Sequence, residues 1–141
     1  MNPPSSAAPQ AKKKILLVDD NDGLRLVLTR LLVRAGFEVQ EARHGGEAIA
    51  RHRQDPADVV VTDLIMPEKE GLETILELKR MQPKLKIIAM SGGGRVNARD
   101  YLTLAGALGA ARTLAKPFSD TELLCAIQEV LNAPDPAPPT V

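Results

Sequence analysis

The fold of this chain is decided by the stretch Asp58-Val59-Val60-Val61-Thr62-Asp63-Leu64-Ile65-Met66-Pro67. Its three consecutive valines are apolar without alternation, which is typical of a strand buried on both faces. Asp63 falls where this strand leaves the sheet, and Pro67 prevents the strand from running on. Ligands of parallel α/β sheets bind at the carboxyl edge of the strands. The stretch therefore predicts a buried parallel strand that ends in a candidate functional carboxylate.

The segments on either side alternate between short apolar runs and helical patterns. In the first helix, apolar residues repeat on one predicted buried face: Leu24, Val27, Leu28, Leu31 and Leu32. The last helix begins at a capping box, Ser119-Asp120-Thr121-Glu122. Besides the central strand we predict strands at residues 15–18, 37–41, 85–90 and 111–115, each followed by a helix. Right-handed crossovers then give a doubly wound α/β sandwich of five strands and five helices.

Composition narrows the class of protein. Lys plus Arg (18) balances Asp plus Glu (18), so no global positive field attracts DNA or an anionic membrane. Aromatic residues make up 2%, which leaves few rings for base stacking. Without a long apolar stretch or a signal-peptide core, we expect a cytoplasmic protein with no membrane contact. Residues 1–11 and 133–141 read as disordered tails, the second one Pro-rich, around a domain at residues 12–132.

Three further residues carry simple expectations about burial. Cys125 lies in an apolar helical pattern and is expected to be buried. His44 and His52 lie in a polar, weakly patterned region and are expected to be solvated. None of the three is predicted to bind a ligand.

Polar side chains follow four of the predicted strands. Asp19 and Asp20 follow the first, Asp63 the third, Ser91 the fourth and Lys116 the fifth, so all should meet at one edge. Unit charges about 4 Å apart interact by roughly 4 kcal/mol near a protein surface, so three carboxylates here require a cation. Oxygen ligands on a shallow edge suit Mg²⁺. A metal, an ammonium and a hydroxyl suit phosphoryl transfer, with Asp63 as the nucleophile.

At this point the chain resembles a known family, the receiver domains of two-component response regulators. The resemblance covers about residues 13–131. It is carried by Asp19-Asp20, by Asp63 with Met66-Pro67 and Gly71, by Ser91, and by Lys116-Pro117-Phe118.

The resemblance implies a flavodoxin-like fold with five parallel strands in the order 2-1-3-4-5. It also implies that a sensor histidine kinase or a histidine phosphotransfer protein passes a phosphoryl group to Asp63. Lys116 would pair with that group, and Ser91 would be the switch hydroxyl. Thr113 stands where the family often has an aromatic residue, so the usual readout of the hydroxyl by an aromatic ring is not expected here.

The resemblance also assigns ligands to the magnesium ion. Asp20 and Asp63 would bind Mg²⁺ directly, together with the backbone carbonyl of Ile65. Asp19 would act mostly through water.

The leading interpretation is a stand-alone regulatory phosphoacceptor that is not an enzyme in the ordinary sense, although it assists its own phosphorylation and dephosphorylation. We expect no DNA-binding domain, and output through contact with an unknown downstream protein or through onward phosphotransfer. An alternative is a receiver-like interaction module without phosphorylation. A phosphohydrolase of the haloacid dehalogenase group would need a second Asp where Ile65 stands. A flavin- or nucleotide-binding domain would need a phosphate-cradling loop where Asp19-Asp20 repel phosphate.

Overall fold

The sheet has the architecture predicted from the sequence. The structure, a computed structural model, describes residues 12–64, 71–92, 103 and 105–134. All neighbouring strands pair in parallel, in the order β2-β1-β3-β4-β5. The strands are β1 (Lys14–Val18), β2 (Glu38–Ala42), β3 (Val59–Asp63), β4 (Lys86–Gly92) and β5 (Arg112–Lys116). The doubly wound, flavodoxin-like fold with five strands and five helices is therefore confirmed.

Helices follow the strands as expected. The first three are α1 (Asp22–Arg34), α2 (Gly45–Gln54) and α3 (Gly71–Met81). The predicted fourth helix, α4, is described only at residues 103 and 105–107, and α5 (Asp120–Asn132) begins at the predicted capping box. No helix among the described residues is long and apolar enough to cross a membrane. The predicted tails fall almost entirely on residues 1–11 and 135–141, which lie outside the described residues.

The core consists of two apolar layers, one on each face of the sheet. Val60 packs with residues of α2, α3 and Ala105 on one face. Val59 and Val61 pack with residues of α1 and α5 on the other. All three valines are fully buried. Because successive side chains of a strand point to opposite faces, a sheet covered on both faces requires an unbroken apolar run.

Two predictions about burial are wrong. Val27 is 60% exposed, because α1 turns Leu28 and Leu32 toward the core and Val27 lies beside that face. Cys125 is exposed, because it lies about 200° around α5 from the buried Leu123. Val27 had been assigned to the buried face by its helical spacing, and Cys125 by its residue type within an apolar helical pattern.

His52 was expected to be solvated, and it is buried. The main-chain N–H of Ala57 donates to Nδ1 of His52 at 3.1 Å, so the proton of the neutral ring lies on Nε2. This Nε2–H donates to Oε1 of Gln82 at 2.9 Å. His44, in contrast, is half-buried at the N-cap of α2, where its Nδ1 accepts from the N–H of Glu47.

Candidate functional site

Three aspartates meet at the carboxyl edge of the sheet. Strands β1 and β3 are neighbours whose register pairs Val18 with Thr62, so Asp19 and Asp63 follow side by side. One carboxylate oxygen from each of Asp19, Asp20 and Asp63 lies within 4.8 Å of the others. Asp19 and Asp63 are buried, whereas Asp20 is exposed. The structure thus brings together the acidic residues that the sequence placed at this edge.

Asp19 is held on several sides. Its main-chain N–H donates to the carbonyl of Ala42 at 3.1 Å. Its carboxylate accepts from the N–H of Asn21 at 2.9 Å and from Nζ of Lys116 at 2.9 Å. The side chain of Asn21 in turn caps α1 by accepting from the N–H of Leu24. The buried Asp19 is therefore fixed in one orientation, and the exposed Asp20 is the carboxylate of the pair that faces solvent.

Lys116 reaches the cluster from β5, two strands away from β3. Its Nζ lies 2.9 Å from Oδ2 of Asp19 and 3.6 Å from Oδ1 of Asp63. The peptide bond between Lys116 and Pro117 is cis. One ammonium against three carboxylates leaves a negative balance in this group of side chains, which favours the binding of a further cation.

Ser91 lies at the same edge within β4. The register pairs Asp63 with Met90, so Ser91 stands one residue beyond Asp63 on the neighbouring strand. Its Oγ is buried and has no hydrogen-bond partner in the described part of the chain, a state shared there only by Oγ1 of Thr29. An unsatisfied buried hydroxyl costs about 1 to 3 kcal/mol. The site therefore holds a hydrogen-bond donor for which the described residues supply no acceptor.

Gly71 joins α3 closely to the end of β3. Its N–H donates to the carbonyl of Leu64 at 3.0 Å, and a Cβ at this position would lie 2.4 Å from both the carbonyl oxygen of Asp63 and Cα of Leu64. Only glycine permits this approach. Two other predicted features, the carbonyl of Ile65 as a metal ligand and the Met66-Pro67 motif, lie outside the described residues.

Arg25 contacts this edge but is not among the residues predicted from the sequence. It donates to the main-chain carbonyl of Asp19 and forms ion pairs with Asp22 and Glu41. Its spacing of three from Asp22 is a helical ion-pair signal, but nothing in the sequence reveals the contact with Glu41, which requires β2 to lie beside β1.

Comparison with known proteins identifies the family. The family model of the response regulator receiver domain matches residues 15–128. Chemotaxis protein CheY of Thermotoga maritima is 33% identical over 119 residues, covering 84% of this chain and 97% of that protein. Sporulation initiation phosphotransferase F of Bacillus subtilis is 29% identical, covering 84% and 94%. A receiver domain structure from Clostridium thermocellum superimposes with a TM-score of 0.79 at 31% identity, covering 85% and 94%. The chain belongs to the receiver domains of two-component response regulators.

Proposed function

We propose that this chain is a phosphoacceptor switch in which Asp63 receives a phosphoryl group in a Mg²⁺-dependent reaction. The donor is a phosphohistidine of a sensor histidine kinase or of a histidine phosphotransfer protein. The observation that carries the proposal is the meeting of three carboxylates within 4.8 Å, with Nζ of Lys116 at 2.9 Å from Asp19 and 3.6 Å from Asp63. Family membership supports the same chemistry.

The side chains present at this edge fit a magnesium ion. They offer carboxylate oxygens, the ligands Mg²⁺ prefers, and the exposure of Asp20 leaves room for the waters that Mg²⁺ retains. We assign Asp20 and Asp63 as direct ligands, together with the main-chain carbonyl of Ile65. Asp19, already engaged by Lys116, is assigned a role through water. When bound, the ion offsets the charge of the carboxylates and of the phosphoryl oxygens.

The residues of the chain then have distinct roles in the transfer. A carboxylate oxygen of Asp63 attacks phosphorus, the P–N bond of the donor breaks, and its electron pair stays on the imidazole nitrogen. The ammonium of Lys116, 3.6 Å from Asp63, pairs with the oxygens of the transferred group. The Oγ of Ser91, which has no partner among the described residues, donates to one of those oxygens. Product formation thus satisfies a buried group, and this is the step that we assign as the switch.

The phosphorylated protein carries the signal, so the role of this chain is regulatory. The phosphorylated form acts by a conformational change that a downstream protein recognises, or by passing the phosphoryl group onward. Similarity to a relative named as a phosphotransferase supports onward transfer as a possible output. The protein assists its own phosphorylation and dephosphorylation through Asp63 and the groups around it. A cytoplasmic location stays a prediction from the sequence.

Intact mass after incubation with Mg²⁺ and a small acyl phosphate tests the proposal. The wild type should gain one phosphoryl group, and the gain should disappear in Asp63→Asn and in the presence of a chelator. Asp58→Asn is the matched control, because Asp58 is exposed and precedes the opposite end of the same strand. A mass gain that persists in Asp63→Asn or ignores the chelator contradicts the proposal. The absence of any gain in the wild type would favour an interaction module without phosphorylation.

The donor protein has a candidate docking surface on α1, the helix that starts beside Asp20. Leu26, Val27 and Val33 are 48%, 60% and 51% exposed, and exposed apolar groups of this kind mark protein contacts. Since α1 begins at the edge that carries Asp63, a partner on this face is close enough to present its phosphohistidine.

Val27→Asp should slow phosphotransfer from autophosphorylated histidine kinases but not from an acyl phosphate. Thr121→Asp, on the exposed face of α5, should slow neither. Equal rates for Val27→Asp and the wild type with a competent kinase would rule out this surface.

A further inference from the structure

Arg25 joins three chain segments next to the acidic site. Its side chain, which is only 12% exposed, extends back from the first turn of α1, as helical side chains do. Nη1 donates to the main-chain carbonyl of Asp19 at 2.7 Å, Nε to Glu41 at 2.8 Å and Nη2 to Asp22 at 2.6 Å. These acceptors belong to the end of β1, the end of β2 and the start of α1.

We propose that Arg25 is a positioning residue for the metal site, which it serves by fixing the peptide unit between Asp19 and Asp20. The inference rests on the proposed function, since it concerns the same carboxylates. Arg25 itself contacts neither Asp20 nor Asp63 among the contacts that the described residues show.

The geometry explains how a guanidinium on α1 can direct a carboxylate that it does not touch. The carbonyl of Asp19 and the N–H of Asp20 belong to one planar peptide unit. Arg25 holds that carbonyl, while the N–H of Asp19 is held by the carbonyl of Ala42. These two contacts fix the peptide planes on both sides of Asp19, so the position of the Asp20 Cα, from which its carboxylate extends, is fixed as well. The main chain at the exposed Asp20 is thus held in place by hydrogen bonds, whereas Asp19 is held by burial as well.

The charge of Arg25 does not account for such an effect. Its guanidinium is already paired with the carboxylates of Asp22 and Glu41, so little net positive charge remains to act on Asp63. The shape of the side chain matters more. Arginine presents five N–H donors in a rigid planar fork, and three of its nitrogens are used here on three separate acceptors. Lysine keeps the charge but cannot reach all three acceptors from one ammonium.

Calorimetric titration of the unphosphorylated protein with Mg²⁺ tests the proposal without relying on phosphorylation. Loss of a group that orients a metal ligand weakens metal binding about 10- to 100-fold, so we expect Arg25→Ala to weaken Mg²⁺ binding about tenfold. Arg25→Lys should fall between Arg25→Ala and the wild type. Arg30→Ala, which removes an exposed arginine from the same helix, should bind Mg²⁺ like the wild type. The metal-free unfolding midpoint of each variant shows whether it is folded, and Arg25→Lys serves if Arg25→Ala does not fold.

Glu41→Gln separates positioning from simple ion pairing. It weakens one ion pair of Arg25 but leaves the contact with the carbonyl of Asp19, so its Mg²⁺ affinity should stay within about twofold of the wild type. If Arg25 acts through Asp20, adding Arg25→Ala to an Asp20→Asn variant should cause no further loss of Mg²⁺ affinity.

Three outcomes would overturn the proposal: wild-type Mg²⁺ affinity in folded Arg25→Ala, equal losses in Arg25→Ala and Glu41→Gln, or full additivity with Asp20→Asn. Each outcome is distinct from failure of the proposed function, which is decided by the mass of Asp63→Asn after incubation with an acyl phosphate. Normal phosphorylation of Asp63 alongside unchanged Mg²⁺ affinity in Arg25→Ala would reject only the role of Arg25.

Discussion

The two edges of the sheet differ in how their buried polar groups are paired. At the amino edge, His52 uses both ring nitrogens, one on Ala57 and the other on Gln82. Lys79 is also buried there, and its Nζ donates to the carbonyls of Pro83 at 2.6 Å and Leu85 at 3.2 Å. At the carboxyl edge, three carboxylates lie together, and Lys116 pairs with two of them, those of Asp19 and Asp63. The Oγ of Ser91 has no partner among the described residues.

The difference separates groups that stabilise the fold from groups kept for chemistry. Buried polar groups with partners tie the loops of the amino edge together, even though burial lowers the pKa of Lys79 by disfavouring its charged form. The carboxyl edge instead brings together three carboxylates and a hydroxyl that has no partner among the described residues, and both features oppose folding until a ligand binds. Removing a partnered polar group at the amino edge should therefore lower the free energy of unfolding, whereas removing the charge of Asp63 or the hydroxyl of Ser91 should raise it or leave it unchanged.

The largest effect is expected at the amino edge, from His52→Ala. The change removes a buried ring and leaves the N–H of Ala57 without its acceptor, so the free energy of unfolding should fall by about 3 kcal/mol. Arg53→Ala, its exposed neighbour on α2, should change stability by less than about 0.5 kcal/mol. Urea unfolding measures both, and phosphorylation of folded His52→Ala should match the wild type. A stability loss comparable to that of Arg53→Ala would show that the hydrogen bonds of His52 contribute nothing.

Gly71→Ala should have the next largest effect, and it acts on the carboxyl edge through packing rather than charge. A new Cβ would lie 2.4 Å from backbone atoms of Asp63 and Leu64, so the start of α3 must move away from β3. We expect the free energy of unfolding to fall by about 2 kcal/mol, the usual range for overpacking, together with slower phosphorylation of Asp63. Gly46→Ala is the control, because the atoms nearest to its new Cβ lie 3.5 Å away and belong to the side chain of His44. Equal stability of the two variants would contradict the close approach at Gly71.

Most of the sheet and the main site groups were predictable, because they follow from local patterns. The unbroken valines indicated a strand covered on both faces, and the polar residues after the strands indicated the edge at which they meet. The end of β4 was harder to predict. Ser91 was placed after the strand, but the strand continues to Gly92 because β5 lies alongside and pairs Gly92 with Lys116.

Residues whose roles depend on distant partners were not predictable. The ring of His52 meets Gln82, 30 positions away, and Arg25 meets Glu41 only after two strands have paired. Polarity alone suggested solvent for His52, because a sequence pattern does not show which polar groups will be satisfied in the interior. The carbonyl of Ile65 stays a prediction.

Asp63→Asn should raise the free energy of unfolding, whereas His52→Ala and Gly71→Ala should both lower it. The change removes one of three like charges, and the relief of repulsion with Asp19 and Asp20 exceeds the lost attraction to Lys116. With a surface-like dielectric the net gain is about 1 kcal/mol. The matched control Asp58→Asn should bring no gain, because Asp58 accepts from the N–H of Lys14. Unfolding without Mg²⁺ measures the effect, and saturating Mg²⁺ should reverse it by stabilising the wild type more. A less stable Asp63→Asn in metal-free buffer would show that the carboxyl edge is not electrostatically strained.

The smallest difference in the free energy of unfolding is expected between substitutions of two buried hydroxyls on adjacent strands. Oγ1 of Thr62 on β3 donates to the carbonyl of Asp63 at 3.0 Å, whereas Oγ of Ser91 on β4 has no partner among the described residues. Thr62→Val, which keeps the shape of the side chain, should lower the free energy of unfolding by about 1 kcal/mol, and Ser91→Ala should leave it unchanged or slightly higher. Urea unfolding of the unphosphorylated variants measures the difference. An equal loss in both would mean that Ser91 already has a partner.

After phosphorylation, Ser91→Ala should be less stable than the wild type, because a charge-assisted hydrogen bond from Ser91 to the phosphoryl group contributes about 1.5 to 3 kcal/mol that Ser91→Ala cannot gain. A hydroxyl whose removal leaves stability intact before phosphorylation and lowers it afterwards reports the state of Asp63, whereas Thr62 should be equally stabilising in both states.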